Sequence, residues 1–427
     1  VYSRGISASA QDDLGWYYVS LQEDGLPVSL IQHSYYAPDI FHRVDLMTDK
    51  VEALRGGSST ISALNASGGI FNFISPGVSK NFRGKIQLNT GVQGEGNKLI
   101  KLDGFFGGPL GNNWFFNMGG HYRKDDGARN TDFTFSKGGQ IKFNVIKENN
   151  RGYLKWYGKI LNDYTNRYTG VAAVNWNKPR AAFGQNFNTT ALLMPEFQGE
   201  IPDGSKLLEG AVNGFNPANG VHAKDFAMGF DIFQNLGKNW SIRYNGKYSS
   251  KVADWQTSIS NAFVSLSDPL AYFISGAEFP IGQVVFRDAR SNNEIARIDN
   301  SGILSGGPFE YLGDGTLPND AIMGTSAWLK NNKANEWIDQ LLIKKEWKNH
   351  SLNFGSATGF SNASVFTQGS FAYVTYEPNP RMLRVTLENP GDQVVALSDS
   401  NGLSNYGGLF YLNGNAKVRQ LSSFIND

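Results

Sequence analysis

From about residue 82 onward, the sequence alternates apolar and polar residues with a period of two, in stretches that reach ten or more residues. The cleanest stretches lie near 84–89, 100–106, 116–122, 140–145, 154–160, 226–232 and 240–248. A period of two indicates a β-strand with one apolar face. Soluble strands have about five or six residues, whereas a tilted strand that crosses a bilayer needs about 9–11. The alternation therefore predicts membrane-crossing strands.

Three later stretches, near 335–347, 351–363 and 412–426, alternate less cleanly and bring the predicted strands to ten. The connectors are short polar turns on one side, at 111–113, 148–150, 237–239 and 348–350. On the other side they lengthen to predicted loops near 164–222, 254–334 and 366–411. Short periplasmic turns and long outer loops are typical of outer-membrane barrels. A β-sandwich or a propeller would have more evenly spaced turns.

Composition agrees with an all-β chain and excludes several classes of protein. Glycine at 49 of 427 residues and aromatic residues at 13% favour strands with tight turns. A net charge of +1 removes the electrostatic case for a nucleic-acid partner. The absence of cysteine excludes disulfides and cysteine metal sites, and the absence of a run of about 18 apolar residues excludes a transmembrane helix. A mean hydropathy of -0.35 still permits a membrane barrel, because only alternate residues face lipid.

Motifs for enzymatic chemistry are absent from the sequence. The five histidines, His33, His42, His121, His222 and His350, lie far apart and form no metal-binding motif. No G-x-S-x-G elbow or Walker-type phosphate loop occurs. The run 125–127 lacks the spaced ligands of an EF-hand, so we interpret it as a solvated loop. We therefore expect neither an enzyme nor a cofactor.

Residues 1–76 carry a different pattern, built from glycine pairs and isolated charges. It resembles the plug domain of TonB-dependent outer-membrane transporters, with an R-G pair, a D-G turn, an E-x-x-R-G motif and a G-G-x-x-N motif. The matching positions are Arg4, Gly5, Asp24, Gly25, Glu52, Arg55, Gly56, Gly68, Gly69 and Asn72. Motifs in the expected order are more specific than any one alone. The alternative is a small α/β domain with ordinary turn glycines.

The resemblance implies an all-β membrane protein: part of a 22-stranded antiparallel transmembrane β-barrel with an N-terminal α+β plug domain in its lumen. The predicted domains are a plug over 1–78 and about the first ten barrel strands over 79–427. Ten strands cannot close around a plug of this size, because barrel diameter grows with strand number. We therefore expect roughly a dozen further strands. The chain begins without a Met, a signal peptide or the family's TonB box, so we interpret it as a fragment of a longer, processed polypeptide.

The function implied by the resemblance is active import of a scarce, bulky solute across a bacterial outer membrane. A ferric siderophore, a glycan or a peptide are the solute classes. The implied partners are the inner-membrane TonB complex, outer-membrane lipids and the solute, with no nucleic acid. The wording LQEDGLPV is similar to receptors of Bacteroidota, some of which pair with a surface lipoprotein lid. Two alternatives remain: a passive porin or structural barrel, and a secreted all-β adhesin or glycan-binding protein.

Two arginines are the candidates for seating the plug. Arg4 and Arg55 each precede a glycine, and the resemblance implies that such arginines contact glutamates on the inner barrel wall through charge-assisted hydrogen bonds. A local ion pair of Glu52 with Arg55 is the alternative. The double alanine variant should loosen the plug by a few kcal/mol, since each loss strands a partner charge. Unchanged leak conductance in planar bilayers would contradict this role.

The loops between plug strands, 7–16 and 29–41, should point outward toward a ligand. They carry side chains suited to stacking and hydrogen bonding with a sugar or an aromatic chelate. These candidates are Trp16, Gln32, His33, Tyr35 and Tyr36. Packing of the plug against the wall is the alternative role. Aromatic residues of the long loops would close over the ligand or form a partner surface: Trp176, Phe183, Phe187 and Trp328.

Overall fold

The computed structural model is almost entirely β, as the sequence predicts. It describes residues 2–3, 6–7, 18–31, 38–57, 63–168, 170–182, 184–194, 199–204, 206, 209–268, 281–313, 317 and 320–427. Within these ranges, the helical turns are of the 3₁₀ type, at Pro38–Phe41, Pro217–Asn219 and Ile303–Ser305. Across the same ranges, we find no helix with the length and apolar character that a membrane crossing requires.

The N-terminal part of the chain, which we call the plug, contains a strand pair and a small four-stranded sheet. The strands of the plug are β1 (Tyr2–Ser3), β2 (Ile6–Ser7), β3 (Val19–Glu23), β4 (Leu26–Pro27), β5 (Lys50–Leu54) and β6 (Gly69–Ile74). Strands β1 and β2 pair with each other, and the sheet has the order β4-β3-β6-β5, with β3 parallel to β6. The helical part of the predicted α+β plug is represented, among the described residues, by the 3₁₀ turn at Pro38–Phe41.

The strands beyond residue 80 fall into ten long ones and several short ones within the loops. In chain order they are β7 (Arg83–Gln93), β8 (Asn97–Gly111), β9 (Trp114–Asp125), β10 (Ser136–Asn149), β11 (Gly152–Thr165), β12 (Ala173–Val174), β13 (Arg180–Ala181), β14 (Gly199–Pro202), β15 (Val212–Phe215), β16 (Gly220–Gly237), β17 (Trp240–Ser265), β18 (Gln283–Asp288), β19 (Glu294–Asp299), β20 (Glu310–Tyr311), β21 (Ala321–Trp347), β22 (His350–Thr375), β23 (Met382–Leu387), β24 (Val395–Ala396) and β25 (Leu403–Asn426).

The ten long strands form one antiparallel sheet, which we call the wall. Each pairs with the next long strand along the chain, in the order β7-β8-β9-β10-β11-β16-β17-β21-β22-β25. The predicted polar turns join them. Asn112 and Asn113 have φ of 50° and 60°, and Lys238 and Asn239 have φ of 50° and 63°. Two-residue turns of this left-handed kind match the twist of adjacent strands. Strand β6 ends and β7 begins on either side of the predicted domain boundary at residue 78.

Two of the predicted long loops are shorter than expected, because β17, β21 and β22 continue well beyond the clean alternation. They reach Ser265, begin at Ala321 and reach Thr375, inside the ranges 254–334 and 366–411. Loop strands β18, β19 and β23 pack on these extensions in a buried apolar cluster that includes Val264, Ile322 and Tyr373. A strand that is covered on both faces loses the period-two pattern. The sequence pattern therefore underestimates the lengths of β17, β21 and β22.

Candidate functional site

The D-G turn and the G-G-x-x-N motif meet in the structure. The backbone N–H of Gly25 donates to the side-chain Oδ1 of Asn72 at 2.9 Å. Asp24, with φ of 52°, accepts from the Ser75 backbone N–H at 2.9 Å. Its other carboxylate oxygen pairs with Lys155 Nζ of the wall at 3.0 Å. Two motifs 47 residues apart thus form one turn that contacts the wall.

The two glycine pairs lie where strands β5 and β6 begin to separate. Gly56 and Gly69 have φ of 82° and 142°, which side chains other than glycine rarely adopt. A Cβ added at Gly69 would lie 2.6 Å from the Leu54 carbonyl oxygen. The Gly68 backbone N–H donates to the Tyr18 carbonyl at 2.7 Å. These glycines allow the plug backbones to approach closely.

The charges of the E-x-x-R-G motif lie at the plug surface. Glu52 accepts from Lys50 Nζ at 2.7 Å, so the local pair with Arg55 considered from the sequence does not form in the structure. Arg55 is exposed. Its seating contact with a barrel glutamate stays a prediction, and Arg4 with Gly5 lies outside the described residues.

The candidate ligand residues Trp16, Gln32, His33, Tyr35 and Tyr36, and the loop residue Phe183, also lie outside the described residues. Trp176 is 89% exposed on its loop and Phe187 is 38% exposed. Trp328 does not lie in a loop, as was predicted, but on β21. It packs edge-on against buried Trp255 with ring centroids 5.4 Å apart. Trp328 therefore packs against the wall and does not belong to a loop that could close over a ligand.

Glu23, at the end of β3, is the centre of the contacts between plug and wall. Lys142 Nζ lies 2.8 Å from its Oε1, and Lys159 Nζ lies 2.8 Å from its Oε2. Within the plug, His42 Nδ1 lies 2.9 Å from Oε1. Lys159 continues the network to Asp225 at 2.8 Å on the neighbouring strand. One plug carboxylate thus joins two wall strands.

A second group of buried charges meets the plug at Ser29 and Leu30. Glu336 of β21 accepts from the Leu30 backbone N–H at 3.1 Å and from the Ser29 hydroxyl at 3.2 Å. Lys251 Nζ lies 3.3 Å from Glu336 and 3.4 Å from Asp225. The two groups therefore form one continuous network across five wall strands, β10, β11, β16, β17 and β21.

A third contact uses an arginine of the plug that the motif analysis did not select. Arg43 Nε donates to Asp163 Oδ2 at 2.7 Å, and Arg123 of β9 donates to the same oxygen at 2.6 Å. Nearby, Gln140 donates to Asp45 at 2.6 Å. Arg43 does what was predicted for Arg4 and Arg55, with the acid on the wall and the arginine on the plug.

The electrostatics of the seated plug favour a charged Glu23 beside a neutral His42. Burial alone would raise the pKa of Glu23, but Lys142, Lys159 and the His42 hydrogen bond outweigh it and hold the pKa well below the ordinary value. Burial lowers the pKa of His42, and the contact with Glu23 offsets this only in part. The carboxylate therefore binds two ammonium groups, while the imidazole stays neutral at neutral pH.

Sequence reasoning missed these wall residues, although a signal for them was present. Residues four apart on a strand point to the same face. Lys155, Lys159 and Asp163 are spaced in this way on β11, and Lys247 with Lys251 on β17. Charged residues in phase with each other, and out of phase with the apolar face, mark the side that meets the plug.

The outer face of the wall has the opposite character. Ile86 is 81% exposed and Ile160 is 56% exposed, whereas Lys159, Asp225 and Lys251 are buried. Soluble proteins rarely bury charge under a surface while they expose contiguous apolar side chains. Apolar residues outside and polar residues inside are the arrangement of a transmembrane barrel.

The paired charges at this interface bind the plug to the wall. Among the described residues, no three or more His, Asp or Glu side chains are grouped to hold a metal ion. The charged groups at the interface are paired with each other in a network that links plug to wall. What such a site can do is hold or release the plug.

The similarities of this chain to known proteins lie among solved structures. No family model matches the chain, and none of the curated proteins matches it. Among solved structures, it is similar to the ferric preacinetobactin receptor BauA from Acinetobacter baumannii, at 12% identity and a TM-score of 0.46 over 98% of this chain and 56% of that one. It is also similar to the ferripyoverdine receptor of Pseudomonas aeruginosa, at 13% identity and a TM-score of 0.47 over 99% and 45%.

A third similar structure is the ferric yersiniabactin uptake receptor FyuA from Yersinia pestis, at 12% identity and a TM-score of 0.39 over 98% of this chain and 54% of that one. The chain spans about half the length of these receptors. The chain has an all-β fold in which an N-terminal sheet is seated on the charged face of a wall of long antiparallel strands, as in a plugged β-barrel.

Proposed function

We propose that the chain forms the plug and ten wall strands of a TonB-dependent outer-membrane transporter, a receptor and not an enzyme. The observation that carries the proposal is a wall with an apolar outer face and a plug seated on its charged inner face. Glu23 and Arg43 of the plug bind wall charges, while Ile86 and Ile160 are exposed on the outside. This arrangement suits hydrocarbon outside and a blocked polar lumen inside.

In this proposal, a bulky solute binds from the outside to the plug and the long loops. The TonB complex then pulls on the plug, and the ion pairs that seat it must break for a path to open. Ferric siderophores, the solutes named for the similar structures, are the first class to test. Glycans and peptides are the other classes, and a lipoprotein lid is a further possible partner.

The test is uptake of radiolabelled iron bound to siderophores by cells that carry the complete gene, compared with cells in which it is deleted. Uptake should require the gene and should stop when an uncoupler collapses the proton gradient. Uptake that persists without the gradient would favour a passive porin. Release of the protein into solution by carbonate extraction would favour an adhesin. Mass spectrometry of the co-purified small molecule then identifies the solute class.

A further inference from the structure

A group of lysines faces outward at one edge of the apolar surface of the wall. Each follows or precedes a residue whose side chain points to the lumen. Lys124 follows Arg123, which binds Asp163 beneath the plug, and Lys224 precedes Asp225, which binds Lys159. Because alternate residues of a strand point to opposite faces, Lys124 and Lys224 point away from the plug. Both are exposed.

The strand register brings these lysines together around an aromatic platform. Lys124 lies directly opposite Lys137, and Lys137 lies opposite Tyr164. The Lys137 Nζ is 5.4 Å from the centre of the Tyr164 ring, which stacks on His222 at 3.6 Å. Lys224 lies two residues along the strand from His222, on the same face. Three cations thus surround one stacked pair of rings.

Among the described residues, Lys124, Lys137 and Lys224 form no salt bridge. One acid, Asp254, interacts electrostatically with Lys224 at longer range. Asp254 lies opposite His222 in the strand register, and its Oδ2 is 3.9 Å from His222 Nδ1. Its other carboxylate oxygen accepts a hydrogen bond from Asn331. Like charges directly opposite each other destabilise a sheet. An anion from outside the chain would remove this repulsion.

An open apolar surface cavity of about 1260 Å³ lies next to the lysines on the outer face. Lys137 and Tyr164 line it, and its walls include Leu102, Phe106, Met118, Ile141 and Ile160, each about half exposed. Its size and apolar lining suit several hydrocarbon chains, and the lysines at its edge suit the anionic head group above them.

We infer that this surface binds a phosphorylated, multiply acylated lipid of the outer leaflet. The phosphate would lie between Lys124, Lys137 and Lys224, and the acyl chains would fill the cavity beneath them. The leaflet follows from the fold, because the long loops leave β11 and β16 at this end, and long loops lie on the cell exterior. The inference rests on the membrane placement in the proposed function, but not on transport.

The test compares a charge-removing variant with a matched control. The first variant combines Lys124→Gln, Lys137→Gln and Lys224→Gln. The control combines Lys147→Gln, Lys238→Gln and Lys345→Gln, which removes the same charge near the short-turn end of the wall. Each protein, as the full chain purified from outer membranes, is incorporated in phosphatidylcholine nanodiscs. Binding of added lipid A, and of lipid A with its phosphates removed, is measured by native mass spectrometry.

We expect the first variant to bind lipid A roughly tenfold to a hundredfold more weakly than the unchanged protein, since each lysine near a lipid surface contributes severalfold to affinity. The control should bind as the unchanged protein does, and dephosphorylated lipid A should bind weakly to all three. Equal binding by all three proteins, or equal loss in the control, would overturn the inference. Competition by inorganic phosphate at millimolar concentration would also overturn it in favour of a soluble anion.

Two measurements separate this result from a failure of the proposed function. Carbonate extraction reports whether the protein is in a membrane, and siderophore uptake reports transport. If the protein resists extraction and lipid A binding does not depend on the lysines, the lipid site alone is refuted. If carbonate releases the protein, the membrane placement itself is wrong, and the lipid site falls with it.

Discussion

At the scale of single residues, the seating of the plug converges on Glu23. Its two oxygens accept from Lys142 and Lys159 at 2.8 Å each, and His42 is within 2.9 Å. A buried charge that loses its partner is more costly than a pair that never formed. The consequences of changing Glu23 therefore depend on the lysines it leaves behind.

We expect Glu23→Gln to weaken plug seating by about 3–5 kcal/mol, because Lys142 loses its paired carboxylate and buried Lys159 keeps only the one on Asp225, while the side-chain shape is kept. Hydrogen exchange of the plug strands and leak conductance in planar bilayers measure this. Glu52→Gln is the matched control. Glu52 is exposed and, within the described part of the chain, pairs with exposed Lys50, so exchange and leak should stay unchanged. Equal leak from both variants would contradict the role of Glu23.

We expect plug seating to weaken as the pH falls, in two steps. The pKa of His42 is lowered from 6.5 in the seated plug. When the plug is released, the pKa of His42 returns to its ordinary value, so the released state binds a proton that the seated state does not. Seating therefore loses stability as the pH falls below about 6.5. The pKa of Glu23 is held well below 4.5, so its contribution is complete above that pH and is lost only in stronger acid.

Hydrogen exchange of the plug between pH 8 and pH 5, in steps, measures the first loss. His42→Gln should remove it. His350→Gln, at an exposed turn of the wall, should leave the pH dependence as in the unchanged protein. A pH dependence that survives His42→Gln would assign the titration to another group.

At the scale of elements, the glycine pairs decide how closely β5 and β6 approach at their ends. Gly69 begins β6 with φ of 142°, and its backbone passes so near to Leu54 that a Cβ would lie 2.6 Å from that carbonyl oxygen. Neither the backbone conformation nor the space admits a side chain. The G-G-x-x-N motif is therefore a backbone requirement of the plug sheet.

We expect Gly69→Ala to destabilise the plug sheet by about 1–3 kcal/mol, the usual cost of a residue held in a strained conformation. Gly77→Ala is the control, because a Cβ there meets no atom within 4 Å and its φ is not positive. Protease susceptibility of the plug in detergent measures the difference. Equal susceptibility of the two variants would show that β5 can shift to make room.

At the scale of the whole molecule, the wall separates an apolar exterior from a charged interior. Met228, in the middle of β16, is 50% exposed, and Leu236, beside the turn at its end, is 57% exposed. In water the two positions would be equivalent surface sites. In a bilayer they lie at different depths, so the same substitution should have different effects.

We expect Met228→Arg to destabilise the wall by about 2–4 kcal/mol and Leu236→Arg by about 0–1 kcal/mol, because the cost of a lipid-facing arginine falls from the midplane to the interface. Chemical denaturation of the protein in lipid vesicles measures both. Equal effects of the two substitutions would contradict the membrane placement of this face.

The alternation, the turns and the plug motifs were enough to predict an all-β wall of long antiparallel strands and the glycines of the plug. They were not enough for the upper parts of β17, β21 and β22, where cover on both faces removes the periodic signal. They led to Arg4 and Arg55 as seating residues, which stays a prediction, and they did not select Glu23 and Arg43, which contact the wall in the described structure.

Local sequence is sufficient to tell which residues share a face, because strand periodicity repeats every two residues. The charges that meet across the lumen are brought together by the fold. Glu23 and Lys159 are 136 positions apart in the chain, and their contact depends on strand tilt, register and the position of the plug. Those are collective properties of the sheet, which no local spacing encodes.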